Sequence, residues 1–175
     1  MEFILVKNSE LTATQLNSIG KIKAQHWKHP IESQIQWMRA TYHTDDTHIL
    51  LMDNEEVVGY VAVAELSIIA DKTTLSALGI SCLCVEQAHL GKGYGLQVMD
   101  KALQFAKKEG KLLCLLCKEK LVGFYNKCGY ASVESLSIMV ENNHFTHELM
   151  VNSDSESRDA GVLQAAQRIQ IDRNF

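Results

Sequence analysis

Two hydrophobic rhythms alternate along this chain, and together they assign most of its elements. Phe3-Ile4-Leu5-Val6 reads as an opening strand. From Ser9 to Ala24 the apolar positions Leu11, Leu16, Ile19 and Ile22 fall near helical spacing, and Thr12 and Gln15 stand where a capping box would close the first turn. Pro30, the only proline, suits the first turn of a second helix reaching about Tyr42. That helix places Ile31, Ile35 and Met38 on one side, with Trp37 beside them. His48–Met52 and Val57–Ile69 read as antiparallel strands joined by Asp53-Asn54-Glu55-Glu56. Gly59 marks a bulge or a close backbone approach in the second of them. Asp71-Lys72 makes the next turn, and Thr74–Val85 returns as a third strand.

After that strand the rhythm changes. Gly91, Gly93 and Gly95 alternate with Lys92 and Tyr94 and open a helix from about Gly93 to Glu109, which is expected to bury Leu96, Met99, Leu103 and Ala106. Gly110 is its natural C-cap, with Lys107, Lys108 and Lys111 around the negative end of the dipole. The apolar run from Lys111 to Cys117 suits a buried parallel strand beside the third one. Leu121–Cys128 forms a short helix around Tyr125, and Gly129 closes it. Ser135–Val140 and His147–Val151 are further strand candidates. The stretch Asn152–Ser157 is polar and looks flexible, and Asp159–Ile171 reads as a helix with Val162, Leu163, Ala166 and Ile169 on one side. The order of elements predicts a single α/β (α+β) domain over residues 1–151, with a polar loop and helix over 152–175 belonging to it or packed on it. This tail packs on the core, closes over an acceptor site or contacts a second copy in a homodimer; the residues leave these open.

Composition narrows the function. A chain of 175 residues holds one full hydrophobic core, and 46% hydrophobic with 22% charged residues is ordinary for a globular domain. The formal net charge of −4, without a basic stripe, argues against nucleic acid as a partner. No apolar run approaches the ~18 residues of a membrane span. The start MEFILVKNSE lacks a basic, cleavable leader pattern, so a cytoplasmic protein is expected. Cys82, Cys84, Cys114, Cys117 and Cys128 sit in or beside apolar runs. Cys114 and Cys117 have a metal-like spacing, but side chains three apart on a strand point to opposite faces, so buried free thiols are expected and no metal is assigned.

The glycine turn is where chemistry concentrates. Glycines let backbone N–H groups turn inward, and the first N–H groups of a helix lack intrahelical partners and carry partial positive charge. A phosphate or pyrophosphate fits such a place, with Lys92 adding a point charge. A Walker A loop does not match, and the GxGxxG fingerprint fails because Leu96 or Val98 stands at the third glycine. On the turn alone, a glycine cluster without ligand remains an alternative.

A second segment changes that balance. Leu83-Cys84-Val85 followed by Leu90-Gly91-Lys92-Gly93-Tyr94-Gly95, and then Gly123-Phe124-Tyr125-Asn126-Lys127-Cys128-Gly129-Tyr130, together resemble the GNAT superfamily of acyl-CoA-dependent N-acetyltransferases. The family loop is Gln/Arg-x-x-Gly-x-Gly/Ala, and Leu90 stands at its Gln/Arg position, so the side-chain contact made there is lost while the backbone amide remains. The run Leu116-Cys117-Lys118 ahead of Phe124-Tyr125 is similar to the small-molecule branch that includes aminoglycoside 2′-N-acetyltransferases. The resemblance implies a mixed sheet whose two central parallel strands, Ser81–Val85 and Leu112–Cys117, splay at the loop. It implies acetyl-CoA as co-substrate, held by Leu83, Cys84, Val85, Leu90, Gly91, Lys92, Gly93, Tyr94 and Gly95. It implies direct attack by a primary amine through a tetrahedral intermediate, with Tyr125 as general acid to the thiolate. The first helical pair would line the acceptor pocket, although core packing explains Trp27 and Trp37 equally well. No base is evident: Glu65, Glu86, water or free amine from solution all remain. The acceptor is a small-molecule amine or a peptide amine, and the acidic balance suits a cationic one. The alternative is a non-catalytic acyl-CoA-binding sensor of the same fold.

Overall fold

Strand β1 (Glu2–Lys7) pairs antiparallel with β2 (Thr47–Asp53), and β2 pairs in the same sense with β3 (Glu56–Ala70). These assignments come from a computed structural model that describes residues 1–135, 137–152 and 158–175. The register between β2 and β3 shifts at Leu51/Met52, opposite Gly59 and Val57, so the bulge expected at Gly59 is present. Gly59 is also a close approach: a Cβ there would stand 3.0 Å from Val98 Cγ2 and 3.2 Å from Leu51 Cβ.

The chain divides into two compact units, residues 1–64 with 81–102, and residues 65–80 with 103–175. In the first, α1 (Ala13–His26) starts at Thr12 with a full capping box to Gln15, as the sequence predicts. The next helix, α2 (Ile31–Thr41), follows Pro30 and packs against α1 closely enough that a Cβ on Gly20 would meet Ile31 and Ile35 at 3.0 and 3.1 Å. Ile19, Ile22, Met38, Tyr42, Leu50, Tyr60, Ala62 and Cys84 form one apolar cluster beneath the helices.

In the second unit, the end of β3 turns at Asp71 (φ +52°) into β4 (Thr73–Val85). Residues Ala77–Ile80 of β4 pair in parallel with Leu112–Leu115 of β5 (Leu112–Cys117), and both runs are buried as a doubly covered sheet requires. The parallel register thus falls one segment earlier on β4 than the expected Ser81–Val85, and β4 then continues to Val85. A left-handed residue, Cys82 (φ +54°), interrupts that continuation. Between β4 and β5 lies α3 (Tyr94–Glu109), closed by Gly110 at φ +65°. Its buried residues are Val98, Met99, Ala102 and Ala106, while Leu96 is exposed and Leu103 half-buried, so the apolar stripe is rotated from the expected one.

The short helix α4 (Val122–Lys127) leads into β6 (Tyr130–Ser132), then β7 (Ser137–Val140), the two-residue β8 (Asn143–His144) and β9 (Glu148–Asn152). β9 pairs antiparallel with both β5 and β6. The C-terminal segment departs from expectation. It forms α5 (Arg158–Ala165) and then a strand, β10 (Arg168–Ile171), in place of one helix to Ile171. Ile169 and Ile171 are buried while Arg168 and Gln170 are exposed, an alternation of period two that lets β10 pair antiparallel with β3 and parallel with β7. The expected loop at 153–157 and position 136 of the expected strand lie outside the described residues.

Candidate functional site

The glycine turn has the local geometry that an anion site requires. Gly91 and Gly93 take φ of +77° and +80°, and a Cβ built on either would find nothing within 4 Å. Among the described residues, the N–H groups of Gly91, Gly93, Tyr94, Gly95 and Leu96 find no acceptor, whereas Gln97 begins the ladder by donating to the Gly93 carbonyl. Two of the expected donors are engaged internally: Leu90 N–H donates to the Gln87 carbonyl at 3.2 Å and Lys92 N–H to the His89 carbonyl at 3.4 Å. The lengths make the second of these the weaker. The Lys92 side chain is exposed, and so is that of Leu90.

Groups that the sequence did not single out brace the turn. His89 stacks on Tyr94 with ring centroids 5.5 Å apart, and its Nδ1 lies 2.8 Å from Glu86 Oε2. Gln25 accepts from the Gln87 N–H at 2.8 Å and takes a second bond on its own carbonyl from the Gln87 side chain. His26 Nε2 lies 2.6 Å from the Val85 carbonyl, and the Glu86 N–H donates to the Val58 carbonyl. The end of β4 is therefore fixed from α1 and from β3. Leu83 and Cys84 precede it, the first half-buried and the second buried. Burial pushes the Cys84 thiol well above its usual range and Cys114 up to about 12, so neither presents a thiolate at neutral pH. Glu86, one of the candidate bases, is thus the partner of His89, and Glu65, the other, pairs with Lys111.

Beside the end of β4, α1 and α2 open a cavity of about 380 Å³ whose lining includes Lys23, Trp27, Ser33, Gln34, Trp37 and Cys82. Trp27 and Trp37 are 38% and 40% exposed, so they form a wall of this cavity and are not core residues. Below it runs a chain of buried polar groups. Tyr42 OH lies 3.0 Å from Ser81 Oγ, and His48 Nδ1 lies 2.8 Å from Tyr60 OH. Burial lowers the pKa of His48 to about 4, which keeps its imidazole neutral at physiological pH.

In the second unit, Tyr125 sits on α4, buried, with its ring edge-on to Phe124 at 5.1 Å and to Tyr130 at 6.3 Å. Gly129, at φ +81°, ends the turn after it, where the sequence places the stop. Tyr130 OH is buried without a hydrogen-bond partner among the described residues, and burial raises its pKa strongly. No group of three His, Cys, Asp or Glu among the described residues could hold a metal ion, and no described helix is long and apolar enough to cross a membrane.

Comparison with solved structures finds the same fold repeatedly. Escherichia coli ElaA superposes with a TM-score of 0.63 at 23% identity, covering 87% of this chain and 99% of that one. An acyl-CoA N-acyltransferase from Pseudomonas aeruginosa gives 0.63 at 14% identity, covering 87% and 100%. An aminoglycoside 6'-N-acetyltransferase complexed with coenzyme A gives 0.58 at 12% identity, covering 85% and 93%. No curated protein matches the sequence. The sequence model of the Acetyltransferase (GNAT) family matches residues 15–130, from α1 through the glycine turn and α4 to the start of β6. With well over half of its length inside that match, this chain belongs to the GNAT family of acyltransferases, which draw their acyl group from acyl-CoA.

Proposed function

We propose that this protein is an N-acetyltransferase that moves an acetyl group from acetyl-CoA to a primary amine. The observation that carries this is the row of unsatisfied N–H donors at Gly91, Gly93, Tyr94 and Gly95, opening outward from two left-handed glycines at the start of a sixteen-residue helix. Those donors would hold the pyrophosphate, with Lys92 adding charge from the surface; Leu90 and Lys92 contribute less through their backbone because their N–H groups are already bonded. The backbone of Leu83 and Val85 would pair with the amides of the pantetheine arm as a short added strand. At Val85 that role falls to the N–H, since His26 stands on the carbonyl.

Bound acetyl-CoA supplies an activated thioester. The main-chain N–H near Leu83 or Cys84 polarises its carbonyl and stabilises the oxyanion that develops as the amine attacks. Tyr125 donates its phenolic proton to the departing sulfur, and the proton lost by the amine returns to the phenolate through water. The sum is amine plus thioester giving amide plus free thiol. Because Glu65 and Glu86 are each paired, the base is best taken as water or as amine that arrives deprotonated.

The test is thiol release from acetyl-CoA with a panel of amines. Tyr125→Phe is expected to keep coenzyme A affinity and to lose about 10²- to 10⁴-fold in kcat. Equal turnover would remove Tyr125 from the reaction, and no calorimetric heat with coenzyme A would end the proposal.

A further inference from the structure

Lys23 is 1% exposed, deep in the wall of the α1–α2 cavity. Its Nζ lies 4.1 Å from the centre of the Trp37 ring and 5.2 Å from that of Trp27, and it donates to Cys82 Sγ at 2.9 Å. Among the described residues it forms no ion pair, and none of the cavity's lining residues is acidic. A buried amino group supported only by two ring faces and a thiol leaves donors unmatched, and an uncompensated buried charge is costly. The seat that aromatic rings usually offer to a visiting cation is already taken by Lys23. A second cation there would meet like charge. An anionic oxygen group would meet an ammonium, the Ser33 hydroxyl, the His29 ring and the second N–H of Gln34 Nε2, whose first donates to the Trp27 carbonyl at 3.2 Å.

We propose that this cavity takes the acceptor by a carboxylate, so that the substrate is an amine carrying an acidic group, with Lys23 as the residue that selects it. Cys82 lines the cavity and directly precedes Leu83 and Cys84. An acceptor anchored at Lys23 is therefore held next to the segment proposed to polarise the thioester. The apolar faces of Trp27 and Trp37 suit a hydrocarbon stem between the two functional ends. This selection rests on the acetyltransferase proposal and refines it. It also reverses the preference for a cationic acceptor that the overall acidity of the chain suggests, because the local charge decides and not the net one.

Trp27 and Trp37 are the only tryptophans in the sequence, so intrinsic fluorescence reports on this cavity alone and needs no turnover. The full chain is titrated with three four-carbon probes: γ-aminobutyrate, its amide, and putrescine. The expected order of affinity is carboxylate, then amide, then diamine, with the carboxylate about tenfold or more ahead of the amide. In Lys23→Met that advantage disappears, and in Lys23→Arg it is largely kept. Putrescine binding as well as or better than the carboxylate, or an unchanged order in Lys23→Met, overturns the proposal. If Lys23→Met does not fold, the order on the unaltered protein still decides. Coenzyme A calorimetry on the same samples separates the two proposals: heat without a carboxylate preference sinks only this one, and a carboxylate preference without heat sinks the transferase and with it the acceptor role, leaving a carboxylate-binding cavity alone.

Discussion

At Gly91 and Gly93 the chain turns through φ of +77° and +80°, and an added Cβ would project into open space. At Gly79 in β4 the backbone needs no left-handed conformation, but an added Cβ would stand 2.6 Å from Leu66 Cδ1 and from two ring atoms of Phe175. The missing side chain serves different ends at the two places. In the strand, its absence makes room for other parts of the protein. In the turn, nothing in the protein uses the room, and the donors beside it are unsatisfied. Glycine that frees space the fold leaves vacant is the better marker of a ligand.

Substitutions at these positions should separate along that line. The largest effect is expected from Gly93→Val: coenzyme A affinity falls by about a hundredfold in calorimetry, since several charge-assisted bonds are lost together. Its folding stability should fall only by the ~1–2 kcal/mol that a left-handed non-glycine residue costs. Gly79→Val reverses the pattern, losing about 1–3 kcal/mol in denaturant unfolding through overpacking while the folded protein keeps its coenzyme A affinity. The smallest effect belongs to Gly110→Ala. Gly110 is left-handed (φ +65°) with open space around it, yet it caps the end of α3 and faces no row of free donors. It should cost about 1 kcal/mol and leave affinity unchanged. Matching affinities for Gly93→Val and Gly110→Ala would mean that the turn binds nothing.

The sequence was readable where local signals agree with tertiary ones. Thr12 and Gln15 cap α1, Gly110 and Gly129 end their helices, and the apolar run of β5 is buried. It misled where two patterns overlap. Val162, Leu163, Ala166 and Ile169 fit one helical face, but Arg168–Ile171 also alternates, and pairing with Ile68–Ala70 of β3 and with β7 decides for strand. On α3, the helical spacing points to Leu96 and Leu103, yet Val98 and Ala102 are buried beside Met99 and Ala106, and Val98 fits because Gly59 lacks a Cβ, which would stand 3.0 Å from it. Lys23 was invisible for a different reason. A lysine on an amphipathic helix normally lies on the solvated face, and only the tertiary meeting of two tryptophans with Cys82 gives it a buried place.

The position of β10 has a consequence for how the molecule is made. This strand is hydrogen-bonded between β3 and β7, and Asp172 accepts from the Ser67 N–H across 105 positions of sequence. The end of β3 therefore waits, with an unsatisfied edge, until β10, about a hundred residues further on, has been synthesised. Contacts of such long sequence separation form slowly, and a bare edge in the interval invites pairing with other chains. Truncation before Arg168 would make that transient hazard permanent, so the yield of soluble material should depend on residues 168–171 more than on the polar segment ahead of them.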